Sequence, residues 1–312
     1  MDRKNYIRNR KTAAGSTSRL GPATSTIEYL FDAWGEISIR LQSALSESNL
    51  FLFLDYDGTI VPIANTPKDA LLSSERKQFL HNLSQYPKIQ SHSLRSVQVW
   101  IVSGRSLDDI SRLVGLEGIG YVGNHGLEIQ CPNQPVKEFY SPEHKETILK
   151  IQELLNTHFA KYKGIFLENK GPILAIHYRL AKPGIEREIL KFIESLKEGW
   201  HGQTRLSMSR GKKVIEIRTA PNKTKGTALE WIKKNTKAVG AGFKPAPTCR
   251  IYLGDDETDE DAFMALNTND VGGFVGKPAR QTAAKYYLLN VGEVWNFLHR
   301  IYELLCKKVP YA

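Results

Sequence analysis

Two apolar runs end in carboxylates. "FLFLDYDGTIVPI" (51–63) leads straight into Asp55, Tyr56, Asp57, Gly58 and Thr59, and "IYLGDDETDEDAF" (251–263) into Gly254, Asp255, Asp256, Glu257, Thr258, Asp259, Glu260 and Asp261. Two carboxylates ~4 Å apart repel by roughly 4 kcal/mol at an effective dielectric of about 20. Keeping Asp55 and Asp57 both ionised beside a core therefore needs a compensating cation or a shared proton. The second cluster offers further acids to hold the cation, and oxygen ligands without a His or Cys partner select Mg²⁺ over zinc. Taken alone, that cluster also reads as an acidic helix start; a second acidic strand end favours the metal. A magnesium site at a sheet edge serves phosphate chemistry. "WIVSGRS" (100–106) adds Ser103, the Gly104 amide and Arg105 as donors to phosphate oxygens, and "NKTKGTAL" (222–229) adds Lys225 at a helix start, where an ammonium offsets phosphoryl charge.

These segments must share one edge. "FLFLDYD" is followed by a helical pattern near 73–85, then "VQVWIVSGR" (97–105), a helix near 107–113 and the strand-like "GYVGNHGLEI" (120–129). Strands apolar on both faces and separated by helices predict a parallel sheet covered on both sides, the doubly wound α/β pattern, whose ligands bind at the carboxyl ends of the strands. The middle third differs: a helix at about 143–161, "GIFLENKGPILAIHYRL" (164–180), a helix at about 184–198 and "TRLSMSRGKKVIEIRT" (204–219), with "SRGKK" as a hairpin turn. This is an α+β module inserted into the first pattern, which resumes with a helix at 224–235, "CRIYLGDD" (249–256), a short helix at 259–266 and a closing helix near 293–305. "KAVGAGFKPAPTCR" (237–250) reads as a connecting loop or local insertion.

The chain has 312 residues, 41% of them hydrophobic, and a net charge of +10. Arg3, Lys4, Arg8, Arg10, Lys11 and Arg19 against Asp2 put half of that excess in the first twenty residues. A solvated basic tail is expected there rather than a nucleic-acid arm, because Tyr6 is its one stacking residue. No window approaches the ~20 apolar residues that span a bilayer, and Cys131, Cys249 and Cys306 lack metal-like spacing and suit a reducing compartment. A cytoplasmic protein is expected, without membrane or nucleic-acid partners.

"DYDGT", "VSGR", Lys225 with Gly226, and "GDDETDED" resemble, in order, the four motifs of the haloacid dehalogenase (HAD) superfamily of phosphotransferases. "GNHG", "LENKGPILAIHYR" and "GKKVIEIR" resemble trehalose-6-phosphate phosphatases in particular. The resemblance implies an α/β fold with a HAD-like Rossmannoid core, a parallel sheet with helices on both faces, and an inserted α+β cap domain. Residues 1–25 would be the basic tail, 26–125 and 221–312 the catalytic core, and 126–220 the cap. It further implies that Asp55 attacks phosphorus to form an aspartyl-phosphate and that Asp57 protonates the leaving oxygen, then activates water. Asp55, the carbonyl of Asp57 and Asp255 would hold Mg²⁺, with Asp259 as ligand or second-line partner; Thr59, Ser103, Gly104 and Lys225 would grip the phosphoryl oxygens. Lys225 is preferred because it directly precedes Gly226; Lys223 is the alternative.

Substrate contacts implied by the resemblance are Arg105, Asn124 and His125 from the core and Glu168, Lys170, His177, Arg179, Lys212 and Glu216 from the cap. Against this, "ILAIHYRL" alternates like any amphipathic strand, and Lys212 beside Lys213 equals ordinary hairpin charge. The expected reaction is hydrolysis of trehalose 6-phosphate, within trehalose biosynthesis, by a monomer whose partner is a small sugar phosphate. The alternatives are a sister phosphatase of sucrose phosphate or a mannosyl phosphoglycerate, and a non-catalytic phosphoryl-binding module; the Asp55–Asp57 spacing and the large insertion disfavour the last. Whether a trehalose-6-phosphate synthase associates with the chain is not legible in the sequence.

Overall fold

The computed structural model describes residues 27–47, 49–64, 66–86, 96–200, 205–211, 213–236, 248–277 and 281–307. The basic tail, most of the 237–250 segment and Lys212 lie outside the described residues. The first half contains β1 (Glu28–Tyr29), α1 (Trp34–Glu47), β2 (Asn49–Asp55), α2 (Ser74–Ser84), β3 (Val97–Val102), α3 (Leu107–Val114), β4 (Gly120–Gly123), β5 (Glu128–Gln130), β6 (Lys137–Glu138) and α4 (Pro142–Phe159). After these come β7 (Phe166–Asn169), β8 (Ile173–His177), α5 (Ile185–Glu198), β9 (Ser207–Gly211), β10 (Val214–Arg218), α6 (Lys225–Asn235), β11 (Thr248–Gly254), α7 (Glu260–Met264), β12 (Val271–Val275), β13 (Tyr286–Leu288) and α8 (Val291–Lys307).

All seven residues of β2 are buried, as expected of a central strand flanked by parallel neighbours. It pairs parallel with β11 on one side and β3 on the other. Its side chains alternate between two cores. Leu50, Leu52 and Leu54 join a cluster with Ile37 and Leu41 of α1, Leu80 of α2, Ile110 of α3 and Leu298 of α8. Phe51 and Phe53 join a second cluster with Leu229 and Ile232 of α6 and Phe263 of α7. The sheet runs β1-β13-β12-β11-β2-β3-β4-β5-β6, so β2, β3 and β11 deliver their carboxyl ends side by side near its middle.

One expectation needs correction. "GYVGNHGLEI" is not one strand: Asn124 and His125 take left-handed backbone (φ 49° and 57°), the chain reverses, and β5 returns antiparallel to β4 with Gly123 opposite Glu128. β5 and β6 extend the large sheet, whereas an independent antiparallel sheet, β7-β8-β10-β9, carries the middle third. Leu174, Ile176, Ile215 and Ile217 of that sheet pack on Ile148, Ile151 and Leu155 of α4 and Ile189 and Ile193 of α5. The inserted layer thus has its own apolar core, while its other face carries Glu168, His177, Glu216 and Arg218. The short strands β1, β6, β12 and β13 and the helix α1 have no counterpart in the sequence reading.

Candidate active site

Asp55 ends β2 and a tight turn follows, in which the Tyr56 carbonyl accepts the amides of Thr59, Ile60 and Val61. Gly58 has φ +88°, and a Cβ there would stand 2.2 Å from Asp255 Oδ2. Only glycine lets the turn pass that close beneath the end of β11. The Thr59 hydroxyl donates to Asp55 Oδ2 at 3.2 Å. Thr224 caps α6 by accepting the Thr227 amide, which sets Lys225 at the first helical position with its ammonium in the site. Lys225 Nζ donates to Asp55 Oδ1 at 2.6 Å and to Asp259 Oδ1 at 2.7 Å. Asp259 also accepts the Tyr252 hydroxyl at Oδ1 and the Asp256 amide at Oδ2. Lys223, by contrast, lies over the Phe139 ring, 4.6 Å from its centre, so of the two lysines it is Lys225 that reaches the carboxylates.

Asp55, Asp255 and Asp259 each present an oxygen, all within 4.8 Å of one another. Burial pushes the Asp55 carboxyl well above its usual range; Lys225 opposes that, and Asp259 and Asp255 add to it. Burial works against the Lys225 ammonium too, but Asp259 and Asp55 overcome it and hold its pKa above the ordinary lysine value. Three carboxylates facing one ammonium leave two negative charges, which matches a divalent cation. The donors are oxygen alone, with no His or Cys among them, and this suits Mg²⁺.

The strand end beside Asp55 belongs to β3, where Val102 is its register partner. Ser103 follows, its hydroxyl accepting the Arg105 amide at 3.1 Å. α3 is capped by Ser106 and by Glu128, whose Oε2 accepts the Leu107 amide at 2.7 Å. So anchored, Arg105 turns its guanidinium onto Asp57: Nε to Oδ2 at 2.7 Å and Nη2 to Oδ1 at 2.8 Å, while Nη1 reaches Asp109 Oδ2 at 2.9 Å. Its fork is spent on two carboxylates. The structure therefore places this expected substrate contact on the acid of the "DYD" pair.

The polar face of the second sheet meets the same edge. Lys170 Nζ donates to the Gly104 carbonyl at 3.1 Å and to Glu216 Oε1 at 3.0 Å. Asn124 Nδ2 donates to the Lys170 carbonyl at 2.9 Å, and His125 Nε2 lies 3.5 Å from Glu216 Oε2. Arg218, absent from the sequence reading, donates to Glu216 Oε2 at 2.8 Å; its signal is the alternation of "VIEIR", which puts residues 216 and 218 on one face. His177 Nε2 and Glu168 Oε2 are 2.8 Å apart. Burial would raise the Glu168 pKa, yet its bond to His177 and the charges of Lys170, His177 and Arg105 hold it below the usual range. Arg179 is exposed in the turn after β8, because the strand stops at His177; the structure does not bring it to this group.

Burial likewise favours a neutral Glu216, but Lys170, His125 and Arg218 keep it well below the normal carboxylate range. Its folded value is depressed, so its contribution to stability is present above the unfolded glutamate value and is lost as pH falls through the lowered one. Glu216→Gln should remove that acid-sensitive part. Melting temperature recorded from pH 7 downward should fall less steeply for the variant than for the wild type; parallel curves would contradict the assignment. Asn124 Oδ1, His125 Nδ1 and Arg218 Nε are buried without a hydrogen-bond partner. Buried polar atoms seldom stay unpaired, and two of these residues, His125 and Arg218, meet at Glu216.

A family model described as trehalose-phosphatase matches residues 53–291, which includes every strand end described above. The chain belongs to the trehalose-phosphatase family. Its relatives in this family include the probable trehalose-phosphate phosphatase 3 of Oryza sativa subsp. japonica, 29% identical over 289 residues that cover 87% of this chain and 74% of the relative. The probable trehalose-phosphate phosphatase D of Arabidopsis thaliana is 30% identical over 276 residues, covering 85% and 70%. The C-terminal domain of C. albicans trehalose-6-phosphate phosphatase shares the fold, with a TM-score of 0.71 over 91% of this chain and 99% of that one, at 23% identity. Trehalose-phosphatases are phosphomonoester hydrolases, and the HAD-like α/β architecture expected from the sequence is the one observed. Among the described residues no helix is long and apolar enough to cross a membrane.

Proposed function

We propose that this chain hydrolyses trehalose 6-phosphate to trehalose and phosphate, with Mg²⁺ as cofactor and Asp55 as nucleophile. One observation carries the reading: Asp55, Asp255, Asp259 and Lys225 converge at one sheet edge, directly against a second sheet whose polar face carries Lys170, Glu216 and Arg218. Asp55, Asp255 and the Asp57 carbonyl would hold the metal. Both oxygens of Asp259 already accept hydrogen bonds, so its part is to fix Lys225 and support the others. When bound, Mg²⁺ supplies positive charge against the phosphoryl oxygens.

In the first step an Asp55 carboxylate oxygen bonds to phosphorus as the bond to the sugar oxygen breaks, and that oxygen takes the proton from Asp57. In the second, water attacks phosphorus, passes a proton to Asp57, and the bond to Asp55 breaks to release phosphate. Thr59, Ser103, the Gly104 backbone and Lys225 balance charge on the phosphoryl oxygens. The second sheet acts as the cap, with Lys170, Glu168, His177 and Glu216 for the hydroxyls and Asn124 and His125 opposite them. Three free cysteines accord with a cytoplasmic setting, and we take the enzyme to act as a monomer on a small sugar phosphate.

The substrate assignment is tested by phosphate release from a panel of sugar phosphates with and without Mg²⁺. Trehalose 6-phosphate should lead clearly; preference for sucrose phosphate or a mannosyl phosphoglycerate would replace it with a sister activity. Asp57→Asn tests the acid. It should lower turnover about 10²–10⁴-fold while leaving Mg²⁺ affinity largely intact in calorimetric titration, since the side chain of Asp57 faces Arg105 and only its carbonyl serves the ion. Loss of Mg²⁺ binding in that variant would contradict the role.

A further inference from the structure

Phe166 is the one aromatic among the large apolar residues exposed among the described residues, with 64% of its surface accessible. It stands on the face that also carries Glu168, His177 and Glu216. Its neighbour in sequence, Leu167, turns the other way and packs on the core of the second sheet, while Phe166 pairs across the strands with His177. Their rings lie 5.9 Å apart at 37°, and His177 in turn binds Glu168. Lys170, Glu168 and Phe166 thus succeed one another outward along one edge of the sheet: Lys170 touches the Gly104 carbonyl, Glu168 feels the Arg105 charge, and Phe166 lies roughly 7 Å farther out. That step is on the scale of one pyranose ring. An aromatic face beside an imidazole–carboxylate pair combines apolar contact for ring C–H groups with partners for hydroxyls.

We propose that Phe166, with the His177–Glu168 pair, is the platform for the hexose that does not carry the phosphate, and that it selects a disaccharide phosphate over a monosaccharide phosphate. This rests on the proposed function above. The nearer positions, Lys170 and Glu216, then serve the phosphorylated ring, and the outer row serves the second one.

Steady-state kinetics of the full chain with trehalose 6-phosphate and with glucose 6-phosphate tests it. Phe166→Ala should raise KM for trehalose 6-phosphate about tenfold with kcat nearly unchanged, leave glucose 6-phosphate kinetics as they are, and keep the melting temperature, because the side chain is exposed. Phe166→Trp should restore the low KM. An unchanged KM for trehalose 6-phosphate in Phe166→Ala overturns the platform, as does an equal rise for both substrates. A wild-type enzyme that does not favour trehalose 6-phosphate over glucose 6-phosphate overturns the substrate assignment, and the platform with it.

Discussion

Asp55→Asn is expected to lower phosphate release by at least about four orders of magnitude, with the fold intact. No neighbour can take its place. Asp57 is held by both arms of the Arg105 fork, and Asp259 is engaged by Lys225, Tyr252 and the Asp256 amide. The amide keeps the shape of the carboxylate and loses its nucleophilicity. The stability side has its own sign. Burial raises the Asp55 pKa in the folded chain, so the folded state holds that proton more tightly than the unfolded one, and the resulting stability is lost as pH rises through the folded value. At neutral pH without metal, the asparagine variant should therefore melt no lower than the wild type. Adding Mg²⁺ should raise the melting temperature of the wild type and do so far less for the variant. Turnover retained in Asp55→Asn would remove the nucleophile from the mechanism; an equal Mg²⁺ shift in both proteins would remove Asp55 from the metal site.

Lys225→Met should be the most damaging single change to the metal-free protein. The ammonium is 3% exposed and lies between Asp55 and Asp259, themselves 7% and 0% exposed. Removing it leaves two buried carboxylates without their shared cation, and breaking buried pairs in this way costs about 3–5 kcal/mol. Urea unfolding in EDTA should show that loss, and Mg²⁺ should restore part of it. Turnover should drop about 10²–10³-fold even at saturating Mg²⁺, since a charge aimed at the phosphoryl oxygens is gone. The double variant Lys225→Met/Asp259→Asn should recover stability but not activity, because it removes the stranded charge without replacing the cation. If the single variant unfolds like the wild type, the ion pairs contribute nothing, and the charge balance argued for this edge is wrong.

Much of this edge is legible in the sequence for a simple reason. Parallel strands buried on both faces read as continuous apolar runs, and they must release their polar residues at one end, so "FLFLDYD" and "IYLGDD" announce both the sheet and the acids it gathers. Residues whose role depends on a partner are less legible. Nothing in "VSGR" says that the fork of Arg105 closes on Asp57, because that contact spans 48 positions. The reversal at Asn124 and His125 hides because their left-handed backbone follows a strand and precedes another of the same apolar character. The same reversal leads into β5, and only pairing shows that β5 and β6 extend the large sheet. Arg179, expected from the family resemblance, lies exposed in the turn after β8, because the strand ends at His177.

The meeting of the two sheets has a kinetic meaning. At the site, Lys170 on the Gly104 carbonyl, Asn124 on the Lys170 carbonyl and His125 beside Glu216 join them, while the apolar cluster of the inserted layer stays within it. Parting these contacts wets polar groups that water satisfies readily. An opening of the gap should therefore leave the inserted layer folded, its apolar cluster undisturbed.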